Sequence, residues 1–431
     1  MQNPKSLIDS NPMTGLQYTT ALVCFLMNTL DGMDVFVMSY TAPAIAKEWS
    51  LSPEILGTVF SAGLLGMTLG TLFIAPFADR IGRKNLMLIS AALMGSCIYL
   101  TSTATTVNPL LIYRFISGIG IGCMLATTAA LIAEYTPNKS RDFWVSAVIA
   151  GYPVGAVVTG LVAAKVIPVD GWQQLFKYAG IASALAIPVL LIFLTESLDF
   201  YLKAQPANAL TKVNHILQKM GHAAMDRLPE PLPRQAAIPV QKLLSGPYKI
   251  PSIQLWVGLF MAFATLYFLT SWIPKLATNA GLPMKLAIYA GTVFNVGAFF
   301  GIITQGYFSS RYGLKRTIGV ILICTALLMS MFGLFVGSSL LLIILGLLGF
   351  GIQGGFVGMY AIAARMYPTE FRTTGVGWAM GAGRIGGIVG PAVAGILIGA
   401  GLSMTANFLV FAVPALLAGL ITMRLGSKEV S

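Results

Sequence analysis

Charge is scarce in this chain. Only 10% of its 431 residues are Asp, Glu, Lys or Arg, against about 25% in an average soluble domain. Hydrophobic residues make up 56%, so the composition excludes an ordinary water-soluble globule. Histidine is nearly absent. His215 and His222 are the only two, and both fall in a polar central stretch, which excludes a histidine proton relay inside the apolar segments. Cys24, Cys97, Cys123 and Cys324 lie far apart within apolar segments. They have neither disulfide nor metal spacing and are read as small packing residues. No metal cluster, nucleophile–base pair or nucleotide loop is visible, and no strand precedes the Gly-rich runs at Gly118–Gly122 and Gly381–Gly390. The chain is therefore read as using no metal and no cofactor, and as not being an enzyme.

Apolar segments of about 20 residues, each long enough to cross a bilayer core of about 30 Å, recur along the whole chain. The expected spans are 16–40, 54–77, 86–105, 109–133, 143–164, 174–194, 252–274, 286–308, 317–337, 339–364, 374–399 and 404–424. Their length argues against a β-barrel, whose segments run to about ten alternating residues. The stretch from Met1 to Gly15 is polar and has no cleavable signal pattern, so the first span is expected to be retained. The net charge of +12 is distributed as topology rather than as a nucleic-acid surface. Of the 27 Lys and Arg, only Lys47, Lys165, Lys177, Lys275 and Lys285 fall in loops on one side, and Arg114 and Arg384 fall inside spans. The rest lie with the two termini and the central stretch. That bias places those segments in the cytoplasm and the excess charge against anionic lipid.

Two halves share one plan. Arg80 and Gly82 recur as Arg311 and Gly313, Pro137 and Arg141 as Pro368 and Arg372, and Gly118 and Gly120 as Gly349 and Gly351, all at an offset of 231. The expected architecture is all-α, with twelve spans in two six-helix pseudo-repeats, residues 1–194 and 251–431. A cytoplasmic linker, 195–250, joins them. Within it, 208–220 reads as a short amphipathic helix: Asn208 caps it, Leu210, Val213, Leu217 and Met220 form one face, and Gly221 ends it. The Pro-rich stretch 229–239 is read as linker. Duplicated halves are a transporter architecture with the substrate site between them.

The loop Asp79-Arg80-Ile81-Gly82-Arg83-Lys84 resembles the signature loop of the major facilitator superfamily. Arg114-Phe-Ile-Ser-Gly118 is similar to a fourth-helix motif of that superfamily. Three stretches resemble the aromatic acid:proton symporter family within it: Asp31-Gly32-Met33-Asp34, Glu134-Tyr135-Thr136-Pro137, and Thr374-Gly-Val-Gly-Trp378 running on to Gly383-Arg384-Ile385-Gly386. This resemblance implies the twelve-helix fold and proton-coupled uptake of an aromatic acid.

The polar residues inside spans carry the chemistry. Asp31 and Asp34 lie on one face of the first span, the former about 20 Å deep at the helical rise per residue. A carboxylate in hydrocarbon costs several kcal/mol unless paired, hydrated or protonated. Arg114 enters its span from the other side and reaches a similar depth. Asp31, Asp34 and Arg114 are read as a proton-coupling group in which protonating an aspartate frees Arg114 to bind the substrate anion; a permanent pair that only orients helices is the alternative. Arg384 lies near the midplane, where the first half has Pro153, and its own span offers no acid. It invites a carboxylate ligand, or else a carbonyl or water in a packed interface. Phe36, Tyr40, Tyr152, Phe263, Tyr267, Tyr360 and Trp378 are candidates to hold a ring, and Asn295 and Gln353 to line a cavity. Asp79, Arg80, Gly82, Arg83, Lys84, Glu134 and Arg141 are expected to form a cytoplasmic gate. In it, Asp79 would cap the eleventh span at Thr373 or Thr374. In the second copy Ser310 replaces the acid, so that latch should be weaker.

The reading is a proton-coupled symporter importing a small organic anion, an aromatic carboxylate such as a benzoate derivative. Its partners are the substrate, protons and the lipid bilayer, with no nucleic acid, and it is expected to act as a monomer in the inner membrane. Symport of a muconate-type dicarboxylate and proton-coupled drug efflux are the alternatives.

Overall fold

In hydrocarbon every backbone N–H and C=O must find its partner within the segment, so a chain of this composition crosses as helices. The computed structural model describes residues 4–229, 240–335, 337–338, 340–368 and 372–426. All but the first residue of the expected Pro-rich linker lies outside them. Regular structure among the described residues is entirely helical. In chain order the helices are α1 (Pro4–Ser10), α2 (Gly15–Glu48), α3 (Pro53–Leu69), α4 (Ala78–Ile81), α5 (Arg83–Thr101), α6 (Val107–Tyr135), α7 (Arg141–Ile149), α8 (Gly151–Phe193), α9 (Leu198–Ala204) and α10 (Ala209–Lys219). Then follow α11 (Lys249–Asn279), α12 (Met284–Tyr312), α13 (Leu314–Ser330), α14 (Leu341–Met366), α15 (Arg372–Gly399) and α16 (Met404–Arg424).

Among the described residues, ten segments are long and apolar enough to cross a membrane. One of them, Phe143–Phe193, is broken at Gly171 (φ 81°, ψ 172°), between the expected fifth and sixth spans. Reading it as two crossings and adding the 17-residue α13 accommodates the twelve expected.

The pseudo-repeat is written into the packing. In the first half α2 packs on α8, α3 on α6, and α5 on both α6 and α8; in the second, α11 packs on α15, α12 on α14, and α13 on both α14 and α16. The same atoms meet in both copies. A Cβ added at Gly66 would stand 2.1 Å from the Phe115 carbonyl oxygen, and one at Gly297 would stand 1.8 Å from that of Gly346. Gly118 faces the Gly63 carbonyl as Gly349 faces that of Phe294, and Gly155 faces Thr29 as Gly386 faces Phe260. All of these pairs obey the offset of 231. Lipid tails give apolar side chains no preference for each other, so close backbone approach through small residues supplies the packing. The turns repeat as well. Gly82 (φ 99°, ψ 151°) and Gly313 (φ 87°, ψ 143°) hold a backbone conformation that L side chains rarely adopt.

The two sets of helices meet where α3 lies on α15, α8 on α12 and α2 on α11. We call the face carrying α4, α9 and α10 the near face, and the opposite one the far face. Helix α10 buries Val213, Ile216, Leu217 and Met220, so Ile216 takes the place expected for Leu210. Asn208 does not cap it: its backbone is left-handed (φ 61°, ψ 25°) and its side chain makes no cap bond.

The glycine contacts are testable. Gly297→Ala forces a methyl group into the Gly346 backbone and should cost about 1–3 kcal/mol, the usual range for overpacking. Gly306→Ala on the same helix meets open space and should leave stability unchanged or slightly raised. Thermal melting in detergent would check the contrast; equal melting of both variants would mean that backbone approach does not hold α12 to α14.

Candidate functional site

Asp31 lies near the middle of α2 with no exposed surface, and neither carboxyl oxygen has a hydrogen-bond partner. The glycine beside it brings in the neighbouring helix: a Cβ on Gly32 would stand 1.9 Å from the Tyr152 carbonyl oxygen. Phe36, one turn along, packs edge-on against the Tyr152 ring at 5.9 Å. Asp34 is equally buried. Its Oδ1 accepts from the Ser183 hydroxyl at 3.3 Å, and its Oδ2 has no partner. Arg114 reaches the same level from α6, as its depth predicted, but it does not pair with a carboxylate. Its Nη1 donates to the main-chain oxygen of Asp34 at 3.1 Å, and its Nε is unpartnered. The expected ion pair is replaced by a charge-to-carbonyl bond, because the Asp34 side chain turns toward α8.

Arg384 is only 8% exposed and has no hydrogen bond or ion pair with any described residue. Three tyrosines from three helices stand within its electrostatic reach: Tyr152 on α8, Tyr267 on α11 and Tyr360 on α14. None of their hydroxyls has a hydrogen-bond partner among the described residues. Phe263 fills the floor, in contact with Gly383 and Gly387 and stacked on Tyr267 at 6.0 Å. Gln353, buried on α14, likewise hydrogen-bonds no described residue. The arrangement is a cationic group and hydroxyls without a hydrogen-bond partner among the described residues, set among aromatic rings, with the partnerless Asp31 carboxyl on α2. It can bind a flat anion and take up a proton; it presents no nucleophile.

Toward the far face the site is shut. A cavity of about 20 Å³ beside Arg114 is lined by Met38, Phe60, Leu64, Met67, Tyr267 and Ser271, among others, and has room for about one water. Above it the Ser39 hydroxyl donates to the Thr270 (2.7 Å) and Ser271 (3.1 Å) carbonyls, and that of Ser61 to Ile388 (2.7 Å). Phe60 packs edge-on against Trp272 at 5.3 Å. Gly57 lies against the Pro391 carbonyl, and Gly395 against that of Pro53. Tyr40 and Asn295 belong to this seam rather than to the site around Arg384. The Tyr40 hydroxyl donates to the Ala156 carbonyl at 3.1 Å, and its ring lies against Gly160 and Gly291. Asn295 donates to the Gly291 carbonyl at 2.9 Å.

Trp378 is a correction. It is half exposed and stacks on Trp256 at 6.0 Å. Six residues of helix separate it from Arg384, which turns it roughly 120° away around α15.

The near-face cluster closes on itself. Arg83 Nη2 meets Asp79 Oδ1 at 2.8 Å and Glu134 Oε1 at 2.9 Å. The Ser197 hydroxyl bonds Glu134 Oε2. Glu196 accepts from the backbone N–H groups of Arg83 (2.7 Å), Lys84 (3.2 Å) and Ser197 (2.8 Å), so it holds the start of α5. Lys84 Nζ donates to the carbonyls of Leu191 and Leu194. Arg80 lies over the Phe77 ring at 5.7 Å, and Arg141 Nε is unpartnered. Asp79 therefore engages Arg83 and makes no hydrogen bond with Thr374; the side chain of Thr373 lies outside the described residues.

Sequence reasoning missed Ser183 and Glu196. A serine in an apolar span carries no signal by itself. Glu196 did carry one, as the first acid after the sixth span on the basic side.

The Major Facilitator Superfamily model matches residues 24–305 and 255–430, one hit reaching well past the first half and the other covering the second. The chain is 32% identical over 420 residues to the 4-hydroxybenzoate transporter PcaK of Pseudomonas putida, covering 96% of this chain and 93% of that one. It is 33% identical over 429 residues to the gallate transporter of Pseudomonas putida (98% and 94% covered). With the gentisate transporter of Corynebacterium glutamicum it shares 29% over 421 residues (95% and 87%). Among solved structures it is similar to the inward open conformation of the xylose transporter XylE from E. coli. There the TM-score is 0.75 at 17% identity, over 96% of this chain and 98% of that one, a likeness of fold alone. With repeated helix pairings, a buried charged site between two sets of helices and relatives matched from end to end, the chain belongs to the Major Facilitator Superfamily of membrane transporters.

Proposed function

We propose that the protein is a proton-coupled symporter that imports an aromatic carboxylate of the benzoate or hydroxybenzoate type by alternating access. Arg384 carries this reading. A guanidinium with no hydrogen bond or ion pair to any described residue, on a residue more than nine-tenths buried, is costly unless a ligand supplies the missing anion. Its planar fork suits a carboxylate held bidentately, and Tyr152, Tyr267, Tyr360 and Phe263 suit an aromatic ring. Relatives that transport 4-hydroxybenzoate, gallate and gentisate support the substrate class. Asp31 and Asp34 are the proton-coupling carboxyls, and Arg114 holds the Asp34 backbone in place between them and the far seam.

In this reading residues 1–194 and 251–431 rock as two bundles about the central site, with 195–250 as their tether. The chain acts as a monomer in the inner membrane with the near face cytoplasmic. The far seam is closed, so the state described is not the outward-open one. The loop from Asp79 to Lys84, with Glu134 and Arg141, then latches the near face in the opposite state. That leaves Asp79 paired inside its own half in this one. A second reading, a dicarboxylate substrate that engages both arginines, rests on the unpartnered Nε of Arg114. Uptake of a labelled acid panel containing benzoates and muconate-type diacids separates the two.

The anion clamp is tested in proteoliposomes. Arg384→Lys keeps the charge and loses the fork, so the KM for uptake should rise about tenfold, on the order of one charge-assisted hydrogen bond. Arg384→Ala should be worse, and wild type should not carry the neutral amide of its substrate. Equal transport of acid and amide would remove the clamp. For coupling, Asp31→Asn or Asp34→Asn should abolish accumulation driven by an imposed pH gradient while protein remains in the membrane, and one of the two should retain substrate exchange. If both variants still concentrate substrate, these carboxyls do not carry the proton.

A further inference from the structure

Tyr152 stands between the two charged parts of the site. Its carbonyl oxygen is pressed against Gly32, the residue next to Asp31. Adjacent contacts, Gly151 on Phe25 and Gly155 on Thr29, fix this stretch of α8 along α2. Its ring packs on Phe36, and the side chain is partly buried. Its hydroxyl has no hydrogen-bond partner among the described residues. The titratable and charged groups within its reach come from four helices: Asp31 on α2, Arg114 on α6, Tyr267 on α11 and Arg384 on α15. Asp34, also on α2, is engaged instead by Ser183. Tyr360 shares the neighbourhood of Arg384 and Tyr267.

A phenol has one O–H to donate. Two acceptors compete for it here, the carboxylate of Asp31 and a substrate carboxylate seated on Arg384. We propose that Tyr152 is the residue that couples proton and substrate, its single donor going to Asp31 while Asp31 is ionised and to the substrate once Asp31 is protonated. The hydroxyl makes no hydrogen bond with Asp31 in this structure, so the exchange is a swing of the Tyr152 side chain between the two acceptors. It balances without any further reactant, since the proton taken up by Asp31 removes the competing acceptor and the phenol keeps its own. Binding of the anion and of the proton then favour each other, as symport requires. This inference rests on the proposed function above.

The experiment measures substrate binding to purified, detergent-solubilised protein by calorimetry from pH 5.5 to 8.5, with 4-hydroxybenzoate as probe. In wild type, affinity should rise as pH falls. Tyr152→Phe keeps the ring on Phe36 and removes the donor. It should weaken binding about tenfold at the acid end, the worth of one hydrogen bond to a charged group, and less than about twofold at the alkaline end, where Asp31 holds the donor. Tyr360→Phe should weaken binding by one factor at every pH. Asp31→Asn should fix affinity near the wild-type acid value throughout. A Tyr152→Phe loss that is the same at all pH values would make Tyr152 a plain ligand and overturn the coupling role, as would no loss at all. Wild-type pH dependence surviving in Asp31→Asn would instead sink the proton reading of Asp31. Should the phenylalanine variant not be recovered folded, ring-fluorinated tyrosine at 152, a stronger donor of the same shape, serves instead. It should tighten acid-end binding while leaving the alkaline end unchanged, and a uniform change or none would overturn the proposal.

Discussion

Four charged side chains, Asp31, Asp34, Arg114 and Arg384, lie in the interior of the helix bundle, each less than a tenth exposed. Each would cost several kcal/mol in hydrocarbon if left charged and unpaired. They do not cancel one another in the simplest way. Arg114 binds a backbone carbonyl, Asp34 a serine, and Asp31 and Arg384 nothing among the described residues. A packed structural ion pair would have satisfied both partners at once. The bundle instead leaves Asp31 and Arg384 without partners among the described residues, with Tyr152 within electrostatic reach of both. In the function proposed, the missing partners are a proton and an anion that arrive together.

That arrangement needs walls that approach closely without filling the centre. Glycines provide them. Gly32, Gly151 and Gly155 bring α8 onto α2, and Gly386 and Gly390 bring α15 onto α11. Because the contact is backbone to backbone, little side-chain volume intrudes on the site. The same device serves the far seam, where Gly57 and Gly395 meet across the two sets of helices. Smooth backbone surfaces of this kind can separate and re-form with few rotamers to reset. The near face uses different chemistry: Arg83, Asp79, Glu134 and Glu196 bind within one half. Such charged contacts suit a surface that meets water in one state and protein in the other.

The duplication explains both the likeness and the asymmetry of the halves. At the offset of 231 the glycine contacts and the φ-positive turns repeat almost atom for atom. The charged residues do not. The counterparts of Asp31, Asp34 and Arg114 are Ala262, Thr265 and Leu345, and that of Arg384 is Pro153. One half thus supplies the carboxyls and the other the unpaired cation, on a common scaffold. The site between the halves is complete only when both contribute.

Much of this was legible in the sequence, for a definite reason. Bilayer thickness and the helical rise fix how deep a residue lies, so the levels of Asp31, Arg114 and Arg384 could be read from their distance to the span ends. Repeated Gly and Arg positions gave the duplication. Depth is one coordinate; the direction a side chain faces and the neighbour it meets depend on helices hundreds of residues away. Hence Trp378, at a plausible depth, faces outward, and Tyr40 and Asn295 lie in the far seam. Arg114 finds a carbonyl where a carboxylate was expected, because Ser183 on α8 draws the Asp34 side chain away. Glu196 likewise takes the α5 amides only because the chain after α8 returns to that helix end. The sequence alone determined that the chain crosses as helices and which charges those helices bury. Tertiary packing decided which of those charges would be left without a partner, since that depends on where the other helices place their polar atoms.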